Sequence, residues 1–416
     1  IISHDNVPDI RWYRGSTYLF DPHLRYVGDE IACIAAETRQ IAEEAAALIE
    51  VDYQELPFVV DAEEAMKPGA PKLYDKGNLY RGEPFKYSRG DIEEGLAAAA
   101  EVMEDTYTTE VIIHNPAEVH CSVANWDGDR LTLWDSTQAI FNVRDAVADS
   151  LKMPTSKVRI IKKYMGGGFG SKLEGGKYSV MAALLAKKTG RPVKIALDRK
   201  EENLSVGNRP DSIQTFKAGV TIDGILTALS QHTVASSGAH AAGAGCSWPL
   251  RTLYQCPNLT VEEYSVYIDA GRARPHRAPG HVQNTFAFES FIDDIAEKVG
   301  LDPLAFRLKN YTAKDQVENL PYTSKRLIEA YEKGAAAIGW KNRKAAGSGT
   351  GPVKRGMGMA SQIWWGGGGP PAYATLKLNR DGSAQVLSGT QDLGTGTYTF
   401  IAQVVAEVLN SWRCVQ

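Results

Sequence analysis

Residues 166–172 read Gly-Gly-Gly-Phe-Gly-Ser-Lys, a run dense in glycine that ends on a hydroxyl and a cation. Without Cβ atoms the chain tolerates positive φ, and consecutive backbone N–H groups can converge on an anion such as a phosphate or a metal-oxo group. Lys172 would add a point charge to that concavity. The spacing is neither GxGxxG nor GxxxxGK[ST], which disfavours NAD and ATP as ligands; a tight turn with no ligand is the plain alternative. A second stretch, Arg272-Ala-Arg274-Pro-His276-Arg277-Ala278-Pro-Gly-His281, crowds fixed positive charge just ahead of an amphipathic run. Arg277 falls where a helix start also favours negative charge, so it is the anion-binding candidate. Arg272 and Arg274 are equally well read as solvated or paired to carboxylates, with Asp293, Asp294 and Glu297 as partners. A third stretch, Gln391 to Thr399, is a glycine-spaced turn of amides and hydroxyls that suits a phosphate or a pterin, or serves only to cap a helix through Thr397 or Thr399.

Weaker candidates surround these. His114, Glu118 and His120 imitate a metal cluster but lack the spacing of a zinc helix, and packing is the better reading. Trp248, Tyr254, Trp364 and Trp365 suit an aromatic pocket, although core packing is the default for such residues. The small-residue stretches Gly238 to Gly245 and Gly366 to Gly369, the latter followed by Pro370-Pro371, read as connections with no catalytic role.

The elements that must position these groups are mixed, and the indicated fold class is α+β. Apolar spacing predicts a helix over 37–51 followed by a strand in Tyr-Gln-Glu-Leu-Pro-Phe-Val-Val. Residues 66–82 are rich in Pro, Gly and Lys and read as a linker, with a second domain opening at Glu83. Beyond it the pattern predicts strands over 107–113, 131–136, 157–164 and 192–198, with helices over 140–151, 179–188, 286–299 and 400–409. Asp127-Gly128, Asp223-Gly224 and Asp381-Gly382 each sit between β-prone runs, where Asp-Gly supplies the positive φ of a tight hairpin. The first and last of these hairpins share a hairpin–Thr-Gln–helix pattern, a weak internal repeat that either arises by chance or marks two lobes facing one ligand.

Composition narrows the ligand. The chain has 416 residues, 43% hydrophobic and 23% charged, with a net charge of -4. That is globular material for two or three domains, with no basic excess to attract nucleic acid or anionic lipid. No apolar run is long enough to cross a bilayer, and the first residues lack the pattern of a signal peptide. The five cysteines, Cys33, Cys121, Cys246, Cys256 and Cys414, are scattered and offer neither a zinc site nor an iron–sulfur cluster. A small-molecule ligand and a reducing compartment follow, and both ends of the chain read as truncated.

Taken together, IIHNPAEVHCSVANWDGDRLTLWDSTQ, YMGGGFGSK, HRAPGHVQNTFAFESFIDDIAEKVGLDPLAFRLKN and GTQDLGTGTYT resemble the molybdopterin-binding subunit of the xanthine dehydrogenase and aldehyde oxidase family. The resemblance covers nearly the whole chain. It implies the C-terminal part of an α/β hammerhead domain (1–65), the linker (66–82), a first molybdenum-cofactor-binding domain (83–312) and part of a second (325–416). In such enzymes molybdenum is held by a pterin dithiolene rather than by protein ligands. They hydroxylate a carbon with water-derived oxygen, by base-assisted attack of metal-bound hydroxide with hydride passing to sulfur. Carried over by position, Gln138 resembles the glutamine near the metal's oxo ligand, and Gly167, Gly168, Phe169 and Gly170 the loop facing it. Arg277 with Ala278 resembles the arginine turn beside the cofactor, and Gly394, Thr395 and Gly396 a pterin-contacting turn. The cofactor is a molybdopterin, the cytosine dinucleotide form being one option. Iron–sulfur clusters and FAD are expected on partner subunits. The cytoplasm is the expected location, with the periplasm open through a partner's export signal.

The departures from the family pattern bear on substrate. Purine-oxidising members carry a glutamate after GGGFGSK, where this chain has Leu173 and then Glu174, expected to face elsewhere. Their purine-gripping arginine falls near Gly245, with Arg251 the nearest substitute. The Arg-Ala-Pro-Gly form at Arg277 is more similar to bacterial aldehyde oxidoreductases, so an aldehyde or N-heterocycle is expected over a purine. The family's base glutamate falls beyond residue 416, and three alternatives stay open: a non-catalytic half-subunit completed by a second chain, a xanthine or purine dehydrogenase, and a glycine loop that by itself binds a nucleotide phosphate without molybdenum. Carbon monoxide oxidation is disfavoured, since Cys246 in GAGCSW matches no cysteine loop of that type.

Overall fold

The computed structural model describes residues 1–345, 347–364 and 372–410. The middle of the chain is built on two sheets, each with its own buried core. A four-stranded sheet runs Val193–Ala196, Cys121–Asp127, Arg130–Asp135, Val158–Ile161 in spatial order, antiparallel except for the last pair. Alternation in Cys121–Asp127 and Arg130–Asp135 turns Ala124, Leu131 and Leu133 inward against helices Ile140–Ser150 and Lys177–Thr189. The second helix carries Val180, Met181, Ala182, Ala183, Leu185 and Ala186 into the same core, and Gly190 ends it at φ 65°.

The five-stranded sheet runs Phe85–Arg89, Asn258–Tyr267, Leu226–Gly238, Ser212–Val220, Glu101–Thr109. Its inner face packs on helix His281–Lys298, where Phe216, Phe288, Phe291 and Phe306 are fully enclosed. The Asp-Gly turns at Gly128, Gly224 and Gly382 have φ of 58°, 86° and 80°, and each closes an antiparallel pair as its sequence demands. Both hairpin–helix units expected from the repeat form, the later one as strands Ala374–Leu378 and Ala384–Ser388 followed by helix Thr397–Val408.

Four expectations change. No strand forms over 53–60: the run finds no neighbouring strand among the described residues, and only Val59 is tied down, exchanging hydrogen bonds with Asp269. The strand expected at 107–113 is Glu101–Thr109, because Ser212–Val220 pairs with that segment, leaving Ile112 a single bridge to Arg209. The helix expected from residue 286 begins at His281, directly after the arginine-rich stretch. Residues 66–82 do not behave as a loose connection. Asn78 is buried and donates to Ala65 O (3.0 Å) and Pro71 O (2.8 Å), while Leu73 and Leu79 pack on Val234, Val266 and Ile268.

The first 60 residues contribute Ile2, Ile10, Trp12, Leu19 and Phe20 to the core of the four-stranded sheet, and their helix Arg39–Ala47, capped by the Thr38 hydroxyl, buries no residue. Trp365, Gly366 to Gly369, Pro370, Pro371 and Cys414 lie outside the described residues.

Candidate functional site

Residues far apart in sequence meet at the glycine-rich loop. Strand Arg130–Asp135 delivers Gln138 beside it, and the Gln138 side-chain oxygen accepts the N–H of Gly170 (2.8 Å) and of Lys172 (3.3 Å). The Gln138 backbone N–H donates to Lys172 O at 2.8 Å, so loop and glutamine are fixed from both sides. A side chain at Gly168 is impossible without movement, since its Cβ would lie 2.5 Å from Gln138 Oε1. On the opposite side, Gly170 (φ 111°) lies so close to Pro275 that a Cβ would fall 2.1 Å from the Pro275 carbonyl. The N–H of Arg277 then donates to Phe169 O at 2.8 Å. The loop is thus clamped between Gln138 and the Arg277 turn.

The clamp leaves a set of donors free. The backbone N–H groups of Gly167, Gly168 and Phe169 donate to no described residue, and the same holds for the Gln138 side-chain NH2. The Arg277 guanidinium is exposed and has no ion-pair partner among the described residues. Free amides with one unpaired cation are the donor set an anionic group requires.

Lys172 is corrected from its expected role. It is completely buried and donates to Glu118 O (2.7 Å) with Glu118 Oε2 at 3.4 Å, so it braces the loop from behind instead of facing a ligand. Glu118 also accepts from Gly166 N–H and from the Ser136 hydroxyl, both at 2.8 Å. Burial opposes its ionisation, but these donors and Lys172 outweigh burial and hold the carboxyl below its usual range. Both histidines of the imitated metal cluster are held by neighbouring groups, although His114 Nδ1 has no partner among the described residues. His120 is enclosed between Glu202 (2.9 Å) and Ser171 O (3.1 Å), and His114 Nε2 lies 2.7 Å from Pro275 O with its ring stacked on His276.

Arg272 and Arg274 turn to Glu174, at 2.9 Å and 4.0 Å, and not to Asp293, Asp294 or Glu297. Burial works against ionisation at Glu174, but the two arginines prevail and hold it below the usual carboxylate range. Asp293 is taken by Arg307 and Asp294 by the Tyr107 hydroxyl.

The strongest element missed in the sequence is Arg209. Only 3% exposed, it donates to Ala278 O (3.2 Å), Arg277 O (2.5 Å), Gln283 Oε1 (3.0 Å) and His276 Nδ1 (2.8 Å). It holds the whole Arg277 turn, in which Ala278 is at φ 59°, a left-handed conformation rare for a residue with a side chain. Burial alone lowers the Arg209 pKa. Its one sequence signal is the Asn-Arg-Pro context, which carries no periodicity.

The third predicted turn stands apart from this cluster. Gly394 (φ 93°) and Gly396 (φ 77°) bracket Thr395, and the Asp392 carboxylate accepts the Gly394 N–H at 2.7 Å. The segment reaches the site's flank through Lys162, which donates to Asp392 O, and through Gly389 packed on Phe141. Trp248 joins a depression beside the Arg277 turn, Tyr254 is core with its hydroxyl on Glu289 (2.6 Å), and Trp364 lies against His281. Gly243 and Gly245, expected only to connect, wall that depression too.

Family models match in the same order as these elements. The aldehyde oxidase and xanthine dehydrogenase a/b hammerhead domain matches residues 1–57. Molybdopterin cofactor-binding domains match 73–311 and 333–413. The chain belongs to the molybdopterin-binding family of xanthine dehydrogenases and aldehyde oxidases. Within that family it is 34% identical over 409 residues to the putative xanthine dehydrogenase molybdenum-binding subunit XdhA of Escherichia coli K12, covering 94% of this chain and 54% of that one. It is 33% identical to the aldehyde oxidoreductase molybdenum-binding subunit PaoC of the same strain, covering 93% of this chain and 52% of the relative. A nicotinate dehydrogenase large molybdopterin subunit of Eubacterium barkeri is 32% identical, with 76% of each chain covered. The chain spans about half the length of the first two relatives. Among solved structures, aldehyde oxidoreductase from Desulfovibrio desulfuricans shares the fold at a TM-score of 0.84 and 21% identity, over 93% of this chain and 44% of that one. Molybdenum hydroxylases therefore provide the fold for the free amides and Arg277 described above.

Proposed function

We propose that this chain carries the molybdenum-cofactor site of a hydroxylase that oxidises an aldehyde or N-heterocycle in preference to a purine. The observation that carries the reading is the convergence of Gln138, the Gly167–Gly170 loop and the Arg277 turn, with their outward donors left free. When bound, a molybdopterin supplies the metal chemistry that adds water-derived oxygen to the substrate and takes up its electrons. The protein's own part is binding, orientation and electrostatics. Gln138 presents its side-chain NH2, Gly167, Gly168 and Phe169 present backbone N–H groups, and Arg277 balances negative charge. Phe169, 46% exposed, supplies an apolar surface beside these donors. Gly394, Thr395 and Gly396 are assigned to the pterin end of the same group, their turn being preshaped by Asp392.

Leu173 follows the loop where a polar partner for a purine would be required, which supports the preference for aldehydes and simple heterocycles. The electrons leave through iron–sulfur and FAD subunits, the cofactor is taken in its cytosine dinucleotide form, and the assembly is placed in the cytoplasm. No helix among the described residues is long and apolar enough to cross a membrane. Dye-linked oxidation by the complex purified from its native host tests the preference. Turnover of an aromatic aldehyde or N-heterocycle with xanthine at least tenfold poorer supports it, and xanthine as the best substrate contradicts it.

A second reading, a half-subunit whose pocket is completed by another chain, is favoured by the Eubacterium barkeri subunit, which matches over 76% of its own length where the Escherichia coli relatives match over about half. Mass spectrometry of the purified complex distinguishes the two, since a separate chain bearing the remaining cofactor domain appears only in the second.

A further inference from the structure

Two imidazole rings hold the Arg277 turn in place. His114 Nε2 lies 2.7 Å from the Pro275 carbonyl, the same carbonyl that packs on Gly170. His276 stacks on His114 with ring centres 4.4 Å apart, and its Nδ1 lies 2.8 Å from Arg209 Nη2. The same guanidinium donates to Arg277 O and Ala278 O, so ring, guanidinium and turn form one closed set of contacts. A guanidinium has donors only, which fixes the state of the ring. His276 Nδ1 must present a lone pair, and the single proton sits on Nε2, towards the Ile113 carbonyl. His276 is therefore neutral in this arrangement, and a proton on Nδ1 would set N–H against the N–H groups of a cation.

The surroundings offer a second charge no support. His114 needs its Nε2 proton for Pro275 O, and its Nδ1 is enclosed with no partner among the described residues. Arg209 opposes a positive charge on His276, while Arg274 and His120 oppose one on His114. The carboxylates close by are committed elsewhere. Glu174, in the wall of the cavity that Arg209 and His276 also line, is taken by Arg272 and Arg274, and Glu202 is spent on His120. Burial first, and then these cations, lower both pKa values, that of His114 to about 4.

We propose that His276 is a positioning residue that latches the Arg277 turn only as a neutral acceptor, so that acid opens the latch and weakens the hold on the cofactor. Ala278 at φ 59° is left-handed, a conformation that persists only where its surroundings impose it. The latch is closed above the ordinary histidine value of about 6.5 and opens as pH falls below it. What the turn holds rests on the hydroxylase reading, whereas the latch involves only this chain's own residues.

Hydrogen exchange of the peptide spanning 272–284 in the full complex, at about pH 7.5 and about pH 5 and corrected for intrinsic rates, tests the latch. The native peptide is expected to lose protection about tenfold at the lower pH, while helix Lys177–Thr189 stays protected. His276→Asn keeps an oxygen acceptor near the Nδ1 position and cannot gain a proton, so its peptide is expected to stay protected at both. His276→Leu lacks the acceptor and is expected to exchange fast at both. Molybdenum retained after dialysis follows the same order, lost from the native complex at the lower pH and kept by His276→Asn. Equal protection of the native peptide at the two pH values overturns the proposal, as does an acid response that survives in His276→Asn. A loss of equal size in helix Lys177–Thr189 overturns it too, since global unfolding is then what acid causes. Molybdenum kept by the native complex at the lower pH, with the exchange response present, overturns the link to the cofactor. Should the native complex contain no molybdenum at all, the hydroxylase reading fails by itself, and hydrogen exchange still decides the latch.

Discussion

Gly168 and Gln138 approach so closely that a single methyl group separates function from disruption. A Cβ at Gly168 would meet Gln138 Oε1 at 2.5 Å, so Gly168→Ala must push the amide away from Gly170 and Lys172. Bound molybdenum is expected to fall at least fivefold in that variant while far-ultraviolet circular dichroism stays native; native metal content would show that the amide position is not critical. Arg209 makes the complementary case. Arg209→Met leaves Gln283 Oε1 buried without its donor and takes the same donor from the part-buried Arg277 O and Ala278 O, for an expected loss of about 2–4 kcal/mol in denaturant unfolding, together with reduced cofactor content. Stability within about 0.5 kcal/mol of native would remove Arg209 from the account. The difference in legibility between these residues is physical. Glycine clusters and an arginine ahead of a helix announce themselves because backbone access and helix polarity are local properties. Arg209 acts 68 residues away in sequence, through a tertiary contact that no local pattern encodes.

At the scale of elements, turns were legible and edges were not. Asp-Gly fixes a hairpin by itself, and all three expected hairpins formed. Strand pairing depends on a neighbour, which is why 53–60 stays unpaired and why the expected strand at 107–113 slides back to Glu101–Thr109. Helix His281–Lys298 begins earlier than its apolar period suggested, because the Pro279-Gly280 turn, not the first apolar residue, sets its start. That helix is stapled to the segment that follows it. Arg307, with no exposed surface, bonds Glu289 (3.0 Å) and Asp293 (2.6 Å), and Glu289 also accepts the Ser361 N–H at 2.6 Å. Burial alone would raise the Glu289 pKa and does so on balance, so loss of its cation leaves a poorly tolerated charge. Arg307→Met is expected to lower stability by about 3–5 kcal/mol, and Arg307→Met with Glu289→Gln to recover part of it. If the double variant is less stable than the single, the buried charge is not the cause.

For the whole molecule, two buried groups set opposing pH dependences. Burial, only partly relieved by Pro275 O, lowers the His114 pKa to about 4, so the unfolded chain binds this proton first and stability is lost as pH falls from about 6.5 towards 4. Burial raises Asp135 to about 6, so the folded chain binds that proton first and stability is lost as pH rises from about 4 through 6. The two offset in the native protein. Asp135→Asn should uncover His114 and give stability that falls between pH 6.5 and 4 more steeply than in the native protein; a flatter profile would contradict the assignment. Fold class and family were legible because each carrying motif is a contiguous run, whereas the meeting of Gln138, the loop and the Arg277 turn joins residues far apart in sequence and was expected only through the resemblance. What could not be read was how the loop is braced: Lys172 turns inward to Glu118, and the arginines beside Arg277 turn to Glu174. The central claim, that this site holds a molybdenum cofactor against Arg277, is tested most directly by elemental analysis of the full complex from its native host beside an Arg277→Ala variant. The account predicts near-stoichiometric molybdenum that falls several-fold in the variant, whereas folded, partner-bound native protein without molybdenum would contradict it.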